Sequence, residues 1–334
     1  MEEPFKCATR ADVAKRAGVS ETIVSYVLNN NRYVDKDKRE RVLKAVKELH
    51  YTPNNIARAL KGKNSNHIIF IADRINNEYF NQLTFEMDKY AYEKGWLLSL
   101  CSNRNQPDFV RQIIGRRFDG IVISSISIPE SFEQEFVDAG IPVVVLQNRA
   151  SNNLTGAAFI GPGLYHGARD VVRYLYDRGR RNILYIDRIS THNHYSTLSD
   201  SRLRGFITEM EACGLQHEGH VITGCTSPEE VQEKLGAYLL EHPVDAVFGR
   251  NDQIACYAMK KILSTGRRVP DDVAVVGYDN SSICQIVTPT LTTMEAQKGM
   301  IAKVAIDMIY QMQTQGTLPD PVHFPAKMIV REST

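Results

Sequence analysis

The sequence has no long apolar run and none of several widespread enzyme motifs. No hydrophobic stretch approaches the roughly 20 residues that a membrane-spanning helix needs. The N-terminal segment has no apolar core, so we expect no secretory signal and a cytoplasmic protein. GxSxG, HExxH and P-loop patterns are missing too, and with them any recognisable catalytic constellation. We therefore expect a protein that is not an enzyme.

Closely paired cysteines are also missing. Six cysteines are scattered over 334 residues without CxxC spacing, which predicts reduced, buried thiols. Two segments, Cys213–His220 and His192–His194, have ligand-like spacing but no clear fourth ligand. We expect neither a bound metal nor a cofactor.

Net charge is almost absent, but the balance hides a split. The whole chain has 40 Lys and Arg against 39 Asp and Glu. Residues 1–64 hold 14 basic and 8 acidic side chains, and the remainder holds 26 and 31. A basic head on a mildly acidic body predicts a polyanion-binding module joined to a second part.

The basic head has the signals of short helices. Thr9 and Asp12 have the form of a capping box that begins a first helix. Gly18 permits a left-handed turn, and Ser20 caps a second helix. Two helices joined in this way match a DNA-binding helix-turn-helix, whereas a plain three-helix protein-binding module is the alternative. The basic charge favours double-stranded DNA as the partner.

The second helix would enter the major groove, and its first residues would face base edges. Glu21, Thr22 and Tyr26 are the candidates for those contacts. Phosphate contacts, which set the register on the duplex, suit five further side chains with donor groups: Thr9, Ser20, Ser25, Asn29 and Tyr51.

After residue 66, apolar runs of strand length alternate with helical stretches. Nine strand candidates lie between residues 67 and 277, and several of the intervening helices end at a glycine. This alternation predicts parallel sheets covered by helices, in two similar α/β lobes. Ligands in such folds bind at the carboxyl ends of the strands, so a cleft between the lobes is the expected binding site.

The stretch TRADVAKRAGVSETIVSYVLNN, followed by KRERVLKAVKELHYTPNNIARALK, resembles the LacI/GalR family of bacterial transcription regulators. NNEYF, SRLRGF and RNDQIACYAMKKILSTGRRVPDDVAVVGYDN in the body are similar to the same family. The resemblance implies an all-α helix-turn-helix DNA-binding head joined by a hinge helix to a two-lobed α/β periplasmic-binding-protein-like body. The implied bounds are 1–53 for the head, 54–65 for hinge and linker, and 66–334 for the body. The N-lobe would comprise 66–162 plus 293–322, and the C-lobe 163–292 plus 323–334.

The resemblance also implies a role for the segment Asn54–Lys61. It matches a hinge helix that pairs with its partner in the minor groove, where Leu60 matches a wedge that unstacks the central base step and Ala57 a small residue on the same face. Asn54 and Lys61 complete the DNA-binding candidates there. One helical turn cannot persist alone in water, so it would form only with the partner hinge and the DNA.

Three C-lobe residues match effector contacts of the family: Arg202 in SRLRGF, Asn251 in RNDQ and Asp279 in GYDN. A polyol suits them, because Arg donates while Asp and Asn accept. Asn251 favours a sugar, since the purine-responsive relatives lack Asn there. Tyr79 and Phe80 match an aromatic pair on the opposite lobe, with core packing as the alternative, and a surface salt bridge is the alternative for Arg202.

Arg74 departs from the family pattern, in which Pro-Asp is common at Asp73-Arg74. Because Arg74 is positively charged, an anionic effector such as a sugar phosphate is an alternative to a neutral sugar.

The resemblance implies a repressor whose operator affinity is controlled by a small molecule, and a bacterial, nucleoid-associated location. We expect a homodimer, because no leucine heptad follows the body. One competing class is a sugar-binding transport protein without DNA function, which shares the two-lobed body. The other is a cofactor-dependent α/β enzyme, to which Gly161, Gly163 and Gly167 give faint support through a dinucleotide-like spacing that Pro162 interrupts.

Overall fold

A computed structural model describes residues 8–52, 64–149, 153–190 and 193–334. The chain forms two compact units, residues 1–65 and residues 66–334. Within the described ranges, no helix is both long and apolar enough to cross a membrane.

The head consists of α1 (Arg10–Ala17), α2 (Glu21–Asn29) and α3 (Lys36–Glu48). The capping box predicted at Thr9 and Asp12 is present, with both reciprocal hydrogen bonds. Gly18 adopts the left-handed conformation, with φ of 63°, and ends α1. Ser20 then caps α2 by accepting from the Ile23 backbone N–H. These caps fix the turn that lets α1 and α2 pack on α3 around a core of Val13, Val24 and Val42.

The body alternates strands and helices as predicted. Its first part contains β1 (His67–Ala72), α4 (Glu78–Glu93), β2 (Leu97–Ser102), α5 (Pro107–Gly115), β3 (Gly120–Ser124), α6 (Glu130–Asp138), β4 (Val143–Leu146) and β5 (Ala158–Gly161). The second part contains α7 (Leu164–Asp177), β6 (Ile183–Ile186), α8 (Ser201–Ala212), β7 (Val221–Ile222), α9 (Pro228–Glu241), β8 (Ala246–Gly249), α10 (Asp252–Ser264), β9 (Ala274–Tyr278), α11 (Ile283–Ile286) and β10 (Thr292–Glu295). The chain ends with α12 (Lys298–Gln315), β11 (Val322–His323) and β12 (Lys327–Ile329).

These strands form two six-stranded sheets. The first has the order β11-β5-β4-β3-β1-β2 and the second β12-β10-β9-β8-β6-β7. Nearly all neighbours are parallel, and the β10–β12 pair is antiparallel. Helices cover both faces of each sheet, which explains why β1 and β3 are almost entirely apolar and buried.

The chain crosses between the lobes three times, and one predicted crossing is wrong. We expected residues 293–322 in the N-lobe, yet β10 pairs with β9 and β12 in the second sheet. The chain therefore returns to the first lobe only after Glu295. A four-residue strand has no local feature that reveals its sheet, because pairing alone decides this.

The cysteines follow the expectation only in part. Cys225, Cys256 and Cys284 are buried free thiols, whereas Cys101 and Cys213 are half-exposed. Cys7 lies outside the described residues.

Candidate functional site

The first turn of α2 presents the expected base-reading side chains to solvent. Glu21 and Thr22 are exposed, and Tyr26 is half-buried one turn further on. The Arg32 guanidinium lies 5.1 Å from the centre of the Tyr26 ring and holds that ring from the loop side. The geometry leaves Glu21 and Thr22 accessible to a base edge at the helix N-terminus, as a recognition helix requires.

The five phosphate candidates have different local roles. The Thr9 hydroxyl donates to Asp12 at 2.6 Å, and the Ser20 hydroxyl accepts from Ile23 N–H at 3.4 Å. The Asn29 amide donates to the backbone oxygen of Ser25 at 2.8 Å. Tyr51 packs its ring into the head core. Thr9 and Ser20 thus stabilise the two helices whether or not DNA is bound.

The basic loop between α2 and α3 was not among the DNA-binding candidates predicted from the sequence. Arg32 and Tyr33 are exposed there, and Tyr33 is 93% exposed. Arg39 donates to Asn30 at 3.1 Å and supports the loop from α3. The loop borders a surface depression that also includes Lys36. In the sequence, the dense run of basic residues after Asn31 is the feature that could have predicted this loop as a DNA contact.

The hinge candidates Asn54, Ala57, Leu60 and Lys61 lie outside the described residues.

In the body, Arg202 and Asp279 come together at the carboxyl end of the second sheet. Arg202 occupies the first turn of α8, whose N-cap is Asp200, and Asp279 follows β9 directly. The Arg202 Nη2 donates to Asp279 Oδ1 at 2.9 Å, and both side chains are about nine-tenths buried. The guanidinium also lies 4.4 Å from the centre of the Tyr278 ring. The surface salt bridge considered for Arg202 is therefore wrong, because this pair is buried.

Tyr79 faces this pair from the other lobe. It is 7% exposed, and its hydroxyl has no hydrogen-bond partner among the described residues. The Arg202 Nε is likewise buried and unsatisfied in the described structure. Burial raises the pKa of Tyr79, and the negative charge of Asp279 adds to this effect. The Tyr79 hydroxyl and the Arg202 Nε–H are thus two buried donors without acceptors at the same site, and an acceptor group of a ligand would satisfy both.

Asn251 is the N-cap of α10 in the same cleft. Its Oδ1 accepts from the Ile254 N–H at 2.9 Å, which orients the amide nitrogen away from the helix. A cavity of about 170 Å³ is lined by Asn251 and Asp279 from one lobe and by Asn77 and Tyr79 from the other. Asn251 therefore offers its amide nitrogen as a donor, in contrast to the acceptor role that the sequence suggested.

Phe80 and Arg74 lie beside this group rather than within it. The Phe80 ring packs on the first-lobe core, 6.1 Å from the Phe70 ring centre. Arg74 extends across the cleft and donates to the backbone oxygen of Ile189 at 2.8 Å. An anionic ligand at Arg74 would thus compete with a bond that already joins the lobes.

A second bond between the lobes involves the neighbouring Asp73. Its carboxylate accepts from Arg188 at 3.0 Å and from the hydroxyl groups of Ser125 and Ser127. Desolvation by burial raises the pKa of Asp73, but the Arg188 charge and these hydrogen bonds outweigh it and hold the pKa below its usual range. In the sequence, Asp73 is recognisable only as a departure from the family pattern.

Buried charges behind the cleft position its functional side chains. Arg250 forms an ion pair with Asp200 at 2.8 Å, and Asp200 accepts from the Arg202 N–H at the start of α8. Asp279 has a φ of 105°, a conformation that strains a residue with a Cβ. Its backbone oxygen accepts from Lys298 Nζ at 2.7 Å, which helps to hold it there. Burial raises the pKa of Asp279 to about 6, although Arg202 opposes the shift.

No group of three or more His, Cys, Asp or Glu in the described part of the chain has the arrangement of a metal site. The spacing noted around Cys213 and His217 does not converge, and His217 instead pairs with Glu211 at 3.0 Å.

Two family models match the sequence. The one described as bacterial regulatory proteins of the lacI family matches residues 9–54, and the one described as a periplasmic binding protein-like domain matches residues 172–334. The first match lies within the first compact unit, and the second lies within the second.

Similar proteins match nearly the whole chain. The HTH-type transcriptional repressor PurR of Edwardsiella ictaluri is 32% identical over 90% of this chain and 89% of its own length. PurR of Vibrio parahaemolyticus is 31% identical, with 91% of each chain covered. The Lac repressor dimer, solved with operator and the anti-inducer ONPF, matches with a TM-score of 0.81 at 24% identity, over 98% of this chain and 99% of that one. The last comparison bears on the fold alone.

Proposed function

Because this chain belongs to the LacI family of bacterial regulatory proteins, we propose that a sugar or sugar derivative, bound between the lobes, controls its operator affinity. As a member of this family, it is a DNA-binding transcription repressor with a ligand-binding body, and not an enzyme. The homodimer and the identity of the effector belong to the proposal.

The pair of orphaned donors in the cleft carries the argument for the ligand. Tyr79 Oη and Arg202 Nε are buried without partners within the described structure, and Asp279 supplies acceptor oxygens beside them. A hydroxyl group both donates and accepts, so one hydroxyl of a polyol satisfies a donor and Asp279 together. A solved LacI-type regulator from Alkaliphilus metalliredigens, 25% identical with a TM-score of 0.67, is complexed with D-xylulofuranose, which favours the same ligand class.

Ligand binding would alter the angle between the lobes. The orphaned hydroxyl belongs to the first lobe, while Arg202, Asn251 and Asp279 belong to the second. A ligand that bonds to both sides stabilises one interlobe angle over others. In a homodimer that angle would set the spacing of the two hinges, and a coupling of about 1–3 kcal/mol changes operator affinity by about 5–150-fold.

A thermal-shift screen of sugars, sugar phosphates and nucleobases with the full-length protein tests the ligand class. A specific ligand raises the melting temperature by mass action. We expect hits among neutral sugars, and each hit should change the affinity for an operator fragment obtained by in vitro selection, measured by fluorescence anisotropy. Hits restricted to nucleobases would overturn the sugar proposal.

Tyr79→Phe is a conservative probe of the cleft, because it removes only the orphaned hydroxyl. We expect it to weaken sugar binding about tenfold while leaving operator binding without ligand unchanged. Tyr238→Phe in α9, outside the cleft lining, is the matched control. Equal ligand affinity of wild type and Tyr79→Phe would argue against this site.

Thr22→Ala tests the head separately. We expect a loss of discrimination at one base position, worth about 1–3 kcal/mol, with little change in binding to random DNA. A uniform loss on all sequences would make Thr22 a phosphate contact instead.

A further inference from the structure

A second cavity lies where the chain crosses between the lobes. It has a volume of about 230 Å³ and shares none of its lining residues with the effector cleft. Gln147 and Arg149 reach it from the loop after β4, while Ser201 and Arg204 reach it from α8. A bound molecule would therefore contact both lobes at their junction.

The charged side chains that line this cavity are basic. Arg149, Arg204, His166 and His323 border it, and no Asp or Glu is among its lining residues. The Arg204 guanidinium lies 5.0 Å from the centre of the Tyr165 ring, and it has no carboxylate partner in the part of the chain that is described. Glu133 is 3.5 Å from Arg149, on the α6 side. Of the two arginines at the cavity, Arg149 is thus paired with Glu133, whereas Arg204 has no carboxylate partner among the described residues.

One polar side chain at the cavity, that of Ser201, has no hydrogen-bond partner among the described residues. Ser201 is 7% exposed, and its hydroxyl makes no hydrogen bond to any described residue. Arg149, by contrast, has partners: its Nη2 lies 3.5 Å from Glu133, and its Nη1 donates to the backbone oxygen of Ile126 at 3.0 Å. Unsatisfied buried polar groups are uncommon in folded proteins and call for an explanation, such as a ligand that completes them.

The backbone adds donors at the same place. Helix α7 begins at Leu164 with Gly163 as its N-cap, and no side chain caps it. Gly163 has a φ of 80°, and a Cβ there would lie 2.6 Å from the backbone of Phe324 and Ala326. The glycine therefore lets the start of the helix approach the third crossing closely. Uncapped N–H groups at a helix start attract anions.

We propose that this cavity binds a small oxyanion of the phosphate class, either free phosphate or the phosphate group of a small metabolite. Arg149 and Arg204 neutralise its charge, and the Ser201 hydroxyl donates to one of its oxygens. Because Arg149 belongs to one lobe and Arg204 to the other, the bound anion stabilises one interlobe angle. This is a second regulatory input, and the binding step does not depend on the proposed sugar site.

Isothermal titration of the full-length protein with inorganic phosphate, at constant ionic strength, tests the site. We expect saturable binding with one site per chain. Arg204→Ala should weaken it about tenfold or more, because a charge-assisted bond is lost. Arg178→Ala, which removes an exposed arginine stacked on Tyr174 outside the cavity, should leave the affinity unchanged.

Ser201→Ala provides a second variant that removes one hydroxyl and keeps every charge. We expect it to weaken phosphate binding severalfold, with an unchanged circular dichroism spectrum. Tyr79→Phe should bind phosphate as wild type does, which separates this cavity from the effector cleft. Tighter binding of glycerol phosphate than of phosphate would identify an organic phosphate as the source, and the reverse order would identify the free ion.

The proposal is overturned if wild type shows no saturable phosphate binding, or if Arg204→Ala and wild type bind with equal affinity. It is also overturned if Arg178→Ala weakens binding as much as Arg204→Ala, because general surface charge then explains the effect.

Discussion

Arg188 of the second lobe donates to Asp73 of the first over 3.0 Å, and this bond joins the lobes at the rim of the effector cleft. Both side chains are largely buried, with 14% and 8% of their surface exposed. The arrangement of the two lobes in this structure is thus held in part by the protein's own ion pair. A ligand that favours this arrangement of the lobes adds to a contact that already exists.

Asp73→Asn should loosen the lobes while keeping two of the bonds within the first lobe, because the asparagine oxygen still accepts from Ser125 and Ser127. The bond from the Ile126 N–H to the other carboxylate oxygen is lost as well. We expect the free energy of unfolding to fall by about 1–3 kcal/mol, measured by urea denaturation. A double-mutant cycle with Arg188→Gln should give a coupling energy near 1 kcal/mol or more. Additive losses would show that the pair does not hold the lobes together.

The Asp73–Arg188 pair makes the stability of the folded protein depend on pH. The pKa of Asp73 is depressed in the folded state, so the pair contributes its full stability above the unfolded carboxyl value of about 4. The contribution is lost as pH falls through the lower folded pKa. Asp73→Asn should therefore destabilise the protein less at pH 3 than at pH 7.

Glu133 makes the stability of the folded protein depend on pH in the opposite direction. Burial raises its pKa to about 7, against the opposing charge of Arg149. Between its usual pKa and pH 7 the folded state holds a proton that the unfolded state has released, so stability falls as pH rises through this window. In the wild-type protein, we expect the free energy of unfolding to fall by about 1–3 kcal/mol between pH 5 and pH 8, measured by urea denaturation. Glu133→Gln should reduce this fall. Glu135→Gln, an exposed neighbour on α6, should retain the wild-type slope.

Arg250 positions the effector site without lining its cleft. Arg250→Met leaves Asp187 and Asp200 buried without their cation, so we expect a loss of about 3–5 kcal/mol in stability. Arg250→Lys keeps the charge but not the planar fork. It should recover most of the stability yet still weaken ligand binding, because Asp200 no longer holds the start of α8 in place. Wild-type ligand affinity in a stable Arg250→Lys protein would limit Arg250 to a structural role.

Arg32 should act as a phosphate contact of the head. Arg32→Ala is expected to weaken binding to all DNA sequences alike and to reduce the slope of log affinity against log salt by about 1. Arg178→Ala removes the same charge from the body and should leave the slope unchanged. A loss confined to one operator base would instead mean that Arg32 reads sequence.

Short-range sequence patterns were sufficient to predict the helices and strands and the boundary between the DNA-binding head and the body. The side chains of Thr9, Ser20 and Asp35 cap the three head helices because a capping bond spans only two or three residues. The apolar run at β1 predicts a buried strand for an equally local reason, since both faces must be covered. The charge split near residue 64 coincides with the boundary between the two compact units.

The contacts between distant residues were decided by the tertiary structure alone. Asp73 and Arg188 are 115 positions apart, and nothing in either neighbourhood indicates their pairing. The sequence also did not predict which sheet contains β10 or which residues pair with Arg250. Nor did it predict the basic cavity where the chain crosses between the lobes. Caps and periodicity act over a few residues and can be read along the chain, whereas buried ion pairs and cavities exist only where separate segments meet.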